Sequence, residues 1–159
     1  MEDRKVILKI EHLCKDFDIK AKSFTGKALK LHALSDISLD IYEGETLGII
    51  GESGCGKSTL GRCLVKLHPI TSGKLVYDGK ELNRLRKKER QALSREIQMV
   101  FQDPYSSLDP RHTAADSVEE PMIVHKTPAT ARERQERTIG LFKEVGLDMQ
   151  HLNRYPHEF

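Results

Sequence analysis

Residues 51–58 read Gly51-Glu52-Ser53-Gly54-Cys55-Gly56-Lys57-Ser58 and match the pattern G-x-x-x-x-G-K-[ST] at every fixed position. The short apolar segment 46–50 before this octapeptide predicts a buried strand. After it, apolar residues recur at helical spacing until Pro69 ends the run; they are Leu60, Cys63, Leu64 and Leu67. A strand, a glycine-rich loop and a helix in this order predict an α/β core that binds the phosphates of a nucleotide.

The octapeptide, called the phosphate loop below, has residue types that suit a triphosphate. Its glycines let successive backbone N–H groups point inward, and the following helix adds the positive end of its dipole. Lys57 is predicted to contact the β- and γ-phosphates, Ser58 to bind Mg²⁺, and Thr59 to lie near the α-phosphate. The predicted nucleotide-binding residues of this stretch are Gly51, Glu52, Ser53, Gly54, Cys55, Gly56, Lys57, Ser58 and Thr59.

The composition excludes several other classes of protein. With 159 residues, 38% of them apolar, the chain is long enough for one domain with a real core. A net charge of +2 is too small to argue for a nucleic-acid or acidic partner. No apolar run reaches membrane-spanning length, and the first residues lack a signal-peptide core. The three cysteines form no C-x-x-C pair, which favours a reducing compartment over a zinc site or a disulfide framework.

Alternating apolar residues predict an antiparallel sheet around the phosphate loop. Such alternation marks residues 6–17 and 37–42 as strands, and residues 75–77 lead into Asp78-Gly79, a hairpin turn signal. Between the first two strands, residues 20–32 are rich in lysine and predict an exposed basic loop.

The second half of the chain predicts helices and loops. Residues 80–95 contain seven basic and two acidic side chains with weak helical periodicity, which favours a solvated helical face over a nucleic-acid patch. A short strand is predicted at 97–101 and a proline-punctuated loop at 103–112. Residues 129–145 predict a charged helix that ends at Gly146.

Several stretches of the chain form a recognisable set. They are GESGCGKST at 51–59, IQMVFQDPYSSLDPR at 97–111, Val145-Gly146-Leu147, and RYPHEF at 154–159. Together they resemble the ATP-binding subunits of ATP-binding cassette (ABC) transporters, and most of all the oligopeptide and dipeptide importer branch. The stretch FQDP followed by Ser-Leu-x-Pro-Arg is the most specific of the four, and the resemblance extends over nearly the whole chain.

The resemblance implies a fold, cofactors and partners. The fold is an α/β P-loop NTPase core of ABC type, incomplete in this chain, with an antiparallel β subdomain and the start of a helical subdomain. Residues 1–102 would form the ATP-binding core with the β subdomain, and residues 103–159 the Q-loop and the partial helical subdomain. The implied cofactors are ATP and Mg²⁺. The implied partners are transmembrane permease subunits and a second ATP-binding subunit, on the cytoplasmic, inner face of the cell membrane, with no nucleic acid.

The resemblance also implies roles for two residues outside the phosphate loop. Gln102 matches the glutamine that reaches Mg²⁺ and the attacking water and senses the γ-phosphate. Lys57 and Gln102 are therefore the catalytic candidates, and Ser58 and Gln102 the metal-binding ones. Phe17 falls where the family places an aromatic ring that stacks on adenine, although the family often has Tyr there. A packing role in the core is the alternative for Phe17.

The chain departs from the family pattern after RYPHEF. Family members continue with a Ser-Gly-Gly-Gln signature, whereas the last residue here is Phe159. The signature, the second acidic motif (Walker B) with its catalytic Glu, and the switch His have no counterpart elsewhere in the chain. Asp103 does not supply the acidic motif because Gln102 interrupts the apolar run, and Asp116 and Glu119 lie in no apolar strand.

Several expectations follow from this departure. The complete family member is an ATPase, but we expect this chain alone to bind ATP weakly and not to hydrolyse it. The segments 47–50 and 97–101 should lack a shared neighbouring strand, which predicts marginal stability or self-association. The leading interpretation is the energy-coupling, ATP-binding subunit of an importer for oligopeptides or dipeptides. The alternatives are a nucleotide-binding module without catalysis, and a nucleic-acid-directed P-loop ATPase that uses residues 80–95.

Overall fold

The computed structural model describes residues 4–19, 29–103, 105–128 and 130–159. The chain forms two compact units, Met1–Met99 and Val100–Phe159. Among the described residues, no helix is both long enough and apolar enough to cross a membrane.

The first unit contains an antiparallel sheet and two helices. In chain order its elements are β1 (Val6–Ile19), β2 (Leu29–Tyr42), α1 (Lys57–Leu64), β3 (Ser72–Tyr77), β4 (Lys80–Glu81) and α2 (Lys87–Glu96). The strands lie in the order β2-β1-β3-β4, and each pairs antiparallel with its neighbour. The predicted antiparallel sheet is therefore confirmed. The turn between β3 and β4 has positive φ at Asp78 (44°) and Gly79 (75°), as the hairpin signal predicts.

An irregularity in β1 changes which of its residues face the core. Leu8 and Ile10 are buried at even positions, whereas Leu13 and Lys15 are buried at odd positions. The buried positions change from even to odd because the pairing register of β1 shifts between Ile10 and Leu13, where His12 has a φ of 50°. The core therefore includes both halves of the strand; the largest fully buried side chains of this unit are Ile10, Leu13, Leu75, Leu82 and Cys63.

Two predicted strands are wrong. Residues 46–50 and 97–101 form no strand, and no strand of the described residues pairs with them. Strand hydrogen bonds need a neighbour, and an apolar segment without one leaves its side chains in solvent. Ile50 is 98% exposed and Val100 is 97% exposed.

The predicted basic loop at 20–32 is also wrong in part. Residues 29–32 belong to β2, because they pair with the end of β1 from Phe17 to Ile19. The remaining positions, 20–28, lie outside the described residues.

The second unit is helical in its described part. It contains α3 (Ala114–His125), α4 (Ala131–Glu144) and two short 3₁₀ turns, Met149–His151 and Pro156–Glu158. Helix α4 confirms the charged helix predicted at 129–145. The sequence patterns predict no bounds for α3, although Thr113 and Asp116 form the capping box that begins it.

Candidate functional site

The phosphate loop turns sharply and runs into α1, whose first two residues are Lys57 and Ser58. Gly54 and Gly56 have φ values of 83° and 101°, a region that favours glycine. The N–H of Leu60 donates to the Gly56 carbonyl oxygen at 2.8 Å, which closes the first turn of the helix. No side chain accepts a hydrogen bond at the N-cap. The first N–H groups of α1 therefore remain available to a ligand that accepts hydrogen bonds.

Close packing limits the space for a side chain at two positions of the loop, most strictly at Gly56, which meets backbone. A Cβ atom on Gly56 would lie 2.7 Å from the Ala33 carbonyl oxygen and 2.9 Å from Leu34 Cδ2, so the loop rests directly on β2. A Cβ atom on Gly51 would lie 2.7 Å from Cys55 Sγ. The loop is therefore a narrow backbone cradle that side chains would fill.

The Lys57 ammonium turns back into this cradle. Its Nζ donates to the carbonyl oxygens of Gly51 at 2.6 Å and Glu52 at 2.7 Å, and lies 3.5 Å from Cys55 Sγ. These partners are all neutral, and within the described ranges no carboxylate forms an ion pair with Lys57. An uncompensated cation beside free N–H donors is an arrangement that suits an anion such as a phosphate.

The residues at the start of α1 also suit a Mg²⁺ ion that binds together with the phosphates of a nucleotide. The Ser58 side chain is exposed and Thr59 is half-buried on the first turn of α1. Among the described residues, no cluster of three or more His, Cys, Asp or Glu side chains could hold a metal by itself. Mg²⁺ bound with a nucleotide commonly takes one or two protein oxygens and completes its shell with phosphate oxygens and water. The Ser58 hydroxyl can be such a protein ligand.

Phe17 lies on β1, close to the part of β2 that supports the phosphate loop. It pairs with Leu31, and Lys15 pairs with Leu34, the residue in contact with Gly56. Three residues along a strand span about 10 Å. The half-buried Phe17 thus lies about 10 Å along the β1–β2 ladder from the residue that contacts the phosphate loop, and its role as an adenine-stacking ring stays a prediction.

The other side of Phe17 is built from two residues that no sequence motif indicates, Lys15 and His68. The Lys15 ammonium lies 4.6 Å from the centroid of the Phe17 ring, and the His68 ring meets it edge-on at 5.4 Å. His68 follows α1, and Thr71 just beyond it is tied to β1: its N–H donates to the Cys14 carbonyl oxygen at 2.8 Å. The sequence signal for Lys15 is that apolar residues of β1 change from even positions, up to Ile10, to odd positions from Leu13 onward.

Gln102 belongs to the second unit, where its side chain is exposed. Its role at the phosphates stays a prediction. The neighbouring Asp103 has a different function, because its carboxylate accepts hydrogen bonds from the N–H groups of Tyr105 at 3.0 Å and Ser106 at 3.3 Å. Hydrogen bonds from Ser106, then from Tyr105, lower the pKa of Asp103. Asp103 thus organises its own turn.

Comparison with known proteins identifies the class. A family model described as "ABC transporter" matches residues 34–159. The chain therefore belongs to the ABC transporter family, as the sequence resemblance predicted. The dimeric post-hydrolysis structure of the ATP-binding cassette MJ0796 bound to ADP and phosphate superposes with a TM-score of 0.75 at 27% identity, over 96% of this chain and 62% of that one. This likeness confirms the predicted fold class, an incomplete α/β ABC cassette.

Two curated relatives are more similar in sequence. One is the oligopeptide transport ATP-binding protein OppF of Bacillus subtilis, 44% identical over 96% of this chain and 48% of that protein. The other is the glutathione import ATP-binding protein GsiA of Pectobacterium atrosepticum, 42% identical over 96% of this chain and 24% of that protein. The chain thus spans about half the length of the first relative and about a quarter of the second.

Proposed function

We propose that this chain binds ATP together with Mg²⁺ at residues 51–59. One observation supports the proposal most directly: the Lys57 ammonium occupies the loop at the N-terminus of α1 and has only neutral partners. A triphosphate offers anionic oxygens that replace those carbonyl contacts and use the free N–H groups of the helix.

The proposed residue roles are those that the sequence predicts, and three of these residues, Lys57, Ser58 and Thr59, lie on the first turn of α1. Lys57 contacts the β- and γ-phosphates, the Ser58 hydroxyl binds Mg²⁺, and Thr59 lies near the α-phosphate. Phe17 stacks on the adenine. Gln102 senses the γ-phosphate and helps to orient the attacking water.

The whole protein is proposed to energise an importer of oligopeptides, dipeptides or a related small peptide. The names of the two curated relatives support this substrate class, since one is an oligopeptide and the other a glutathione transport protein. In that setting the protein lies on the cytoplasmic face of the membrane, against permease subunits and a second ATP-binding subunit. Hydrolysis in the whole protein proceeds by in-line attack of water on the γ-phosphate, with positioning and charge stabilisation as the main catalytic effects.

The test is MgATP binding by the purified chain, measured by calorimetry for the wild type and Lys57→Ala. Loss of a charged donor to phosphate should weaken binding by about 10-fold or more. Lys80→Ala is the matched control, because Lys80 lies on β4 at the surface. Equal MgATP affinity of the wild type and Lys57→Ala, or no binding by the wild type, would contradict the proposal. Removal of Mg²⁺ with a chelator should weaken binding by the wild type.

A further inference from the structure

Lys15 is a buried cation without a counterion. Its relative exposure is 8%, and it is one of two polar residues in the described ranges that are buried to this degree. No carboxylate of the described residues lies within ion-pairing distance of its ammonium. Burying a charge in this way costs stability, so the position calls for another physical explanation.

The contact partner of this cation is the face of an aromatic ring. Lys15 and Phe17 are two residues apart on β1 and project to the same side of the strand. The distance of 4.6 Å from Nζ to the ring centroid is that of a cation–π interaction, which strengthens when both groups are shielded from water. The edge contact with His68 restrains the ring further.

The pairing of β1 with β2 places this ring at the end of the predicted nucleotide site where the nucleobase would lie. Leu34 lies opposite Lys15 on β2 and contacts the phosphate loop at Gly56. Phe17 lies further along the same ladder, opposite Leu31. One face of the Phe17 ring is covered by the ammonium, so a base can stack only on the other face.

We propose that Lys15 is a positioning residue for the purine base, acting through Phe17 from the face opposite the base. This inference rests on the proposed ATP binding. The ammonium holds the ring in place and draws its π-electron density toward the buried face. The opposite face becomes less negative and stacks more favourably on an electron-rich purine. Lys15 thereby adds affinity for the base and none for the phosphates.

The test compares a ligand that has a base with one that lacks it. Calorimetric titrations with MgATP and with magnesium tripolyphosphate are made on the wild type, Lys15→Met and Lys15→Arg. Lys15→Met should weaken MgATP binding by about 3- to 10-fold and leave tripolyphosphate binding within about 2-fold. Lys15→Arg keeps the cation and should restore most of the MgATP affinity.

The matched control is Lys9→Met, which removes an exposed lysine from the same strand and should change neither titration. Thermal melting separates a structural role from a positioning role. Because Lys15→Met removes a buried, unpaired charge and keeps the side-chain volume, its melting temperature should equal or exceed that of the wild type. Lys15→Gln is a second neutral variant that tests the same effect if the methionine variant fails to fold.

A double-mutant cycle with Phe17→Leu tests the route through the ring. Once the ring is absent, Lys15→Met should cause no further loss of MgATP affinity. Equal losses for MgATP and tripolyphosphate, unchanged MgATP affinity in Lys15→Met, or additive losses in the cycle would each overturn the inference. A wild type that binds tripolyphosphate as tightly as MgATP would refute the base platform while leaving phosphate binding intact. A wild type that binds neither ligand would refute the proposed function and this inference with it.

Discussion

Gly56 packs against the backbone of Ala33, so closely that a Cβ atom on the glycine would lie 2.7 Å from the Ala33 carbonyl oxygen. This contact joins the phosphate loop to β2 and places the beginning of α1 on the sheet. The glycine of the motif is therefore required for packing as well as for the backbone turn.

Replacing Gly56 by alanine should destabilise the first unit. The φ of 101° strains any side chain by about 1 kcal/mol or more, and the Ala33 contact adds a comparable cost, so we expect a loss of at least about 2 kcal/mol in the free energy of unfolding. Gly44→Ala is the control, because Gly44 has a φ of 76° but no atom within 4 Å of its Cβ position. Urea denaturation measures both variants; equal losses would show that the contact with Ala33 has no effect.

Alkylation of the exposed Cys55 thiol should block nucleotide binding. Its Sγ lies against Gly51 and 3.5 Å from Lys57 Nζ, so an added group would fill the loop. Cys63 should react only after unfolding, since it is fully buried and this burial raises the pKa of its thiol. Mass spectrometry after treatment with N-ethylmaleimide should find Cys55 labelled before Cys63, and MgATP should slow that labelling.

The control for alkylation is Cys55→Ser, which should bind MgATP before and after treatment. Undiminished MgATP binding by a chain modified at Cys55 would show that the thiol lies outside the space of the ligand.

The N-terminal cap of α3 should make stability depend on acid pH. The Thr113 hydroxyl donates to Asp116 Oδ2 at 2.7 Å, and this bond is the largest cause that lowers the pKa of Asp116 from 3.8. A lowered folded-state pKa means that the stabilisation is complete well above pH 3.8 and is lost as the pH falls through the folded-state pKa. Thr113→Ala should cost about 1 kcal/mol at pH 7.

Thermal melting between pH 2 and 7 measures this dependence. Because Thr113→Ala has already lost the bond, its difference from the wild type should shrink toward low pH. Thr113→Ser keeps the hydroxyl and should follow the wild type. A difference that stays constant down to pH 2 would mean that the carboxylate of Asp116 takes no part in the cap.

The exposed apolar segments should promote self-association. Ile50 and Val100 are almost completely exposed, and each side chain could bury apolar surface worth about 1.5 kcal/mol or more against a second molecule. Ile50→Asp and Val100→Asp should each raise the dissociation constant for self-association by about 5-fold or more, as measured by sedimentation velocity. Ile123→Asp on α3 is the control for added charge. A wild type that stays monomeric at high concentration would contradict this prediction.

The antiparallel sheet and the phosphate loop could be predicted from local patterns. The alternation around Leu39, the Asp78-Gly79 turn and the spacing of the octapeptide each depend on neighbours within a few residues. The two wrong strands, 46–50 and 97–101, have the same local character. These two predictions are wrong because a strand also needs hydrogen-bonding partners from elsewhere in the chain.

By itself, the sequence determined the family, the glycine-rich loop with Lys57 and Ser58, and the residue types available to a nucleotide, because those properties are local. Only the tertiary structure decided that Lys15 lies buried against Phe17 and that Asp103 organises its own turn. It also decided that Gly56 rests on Ala33. The contact between Gly56 and Ala33 joins residues that are distant along the chain. The burial of Lys15 depends on the irregularity near His12, which changes the residues of β1 that face the core.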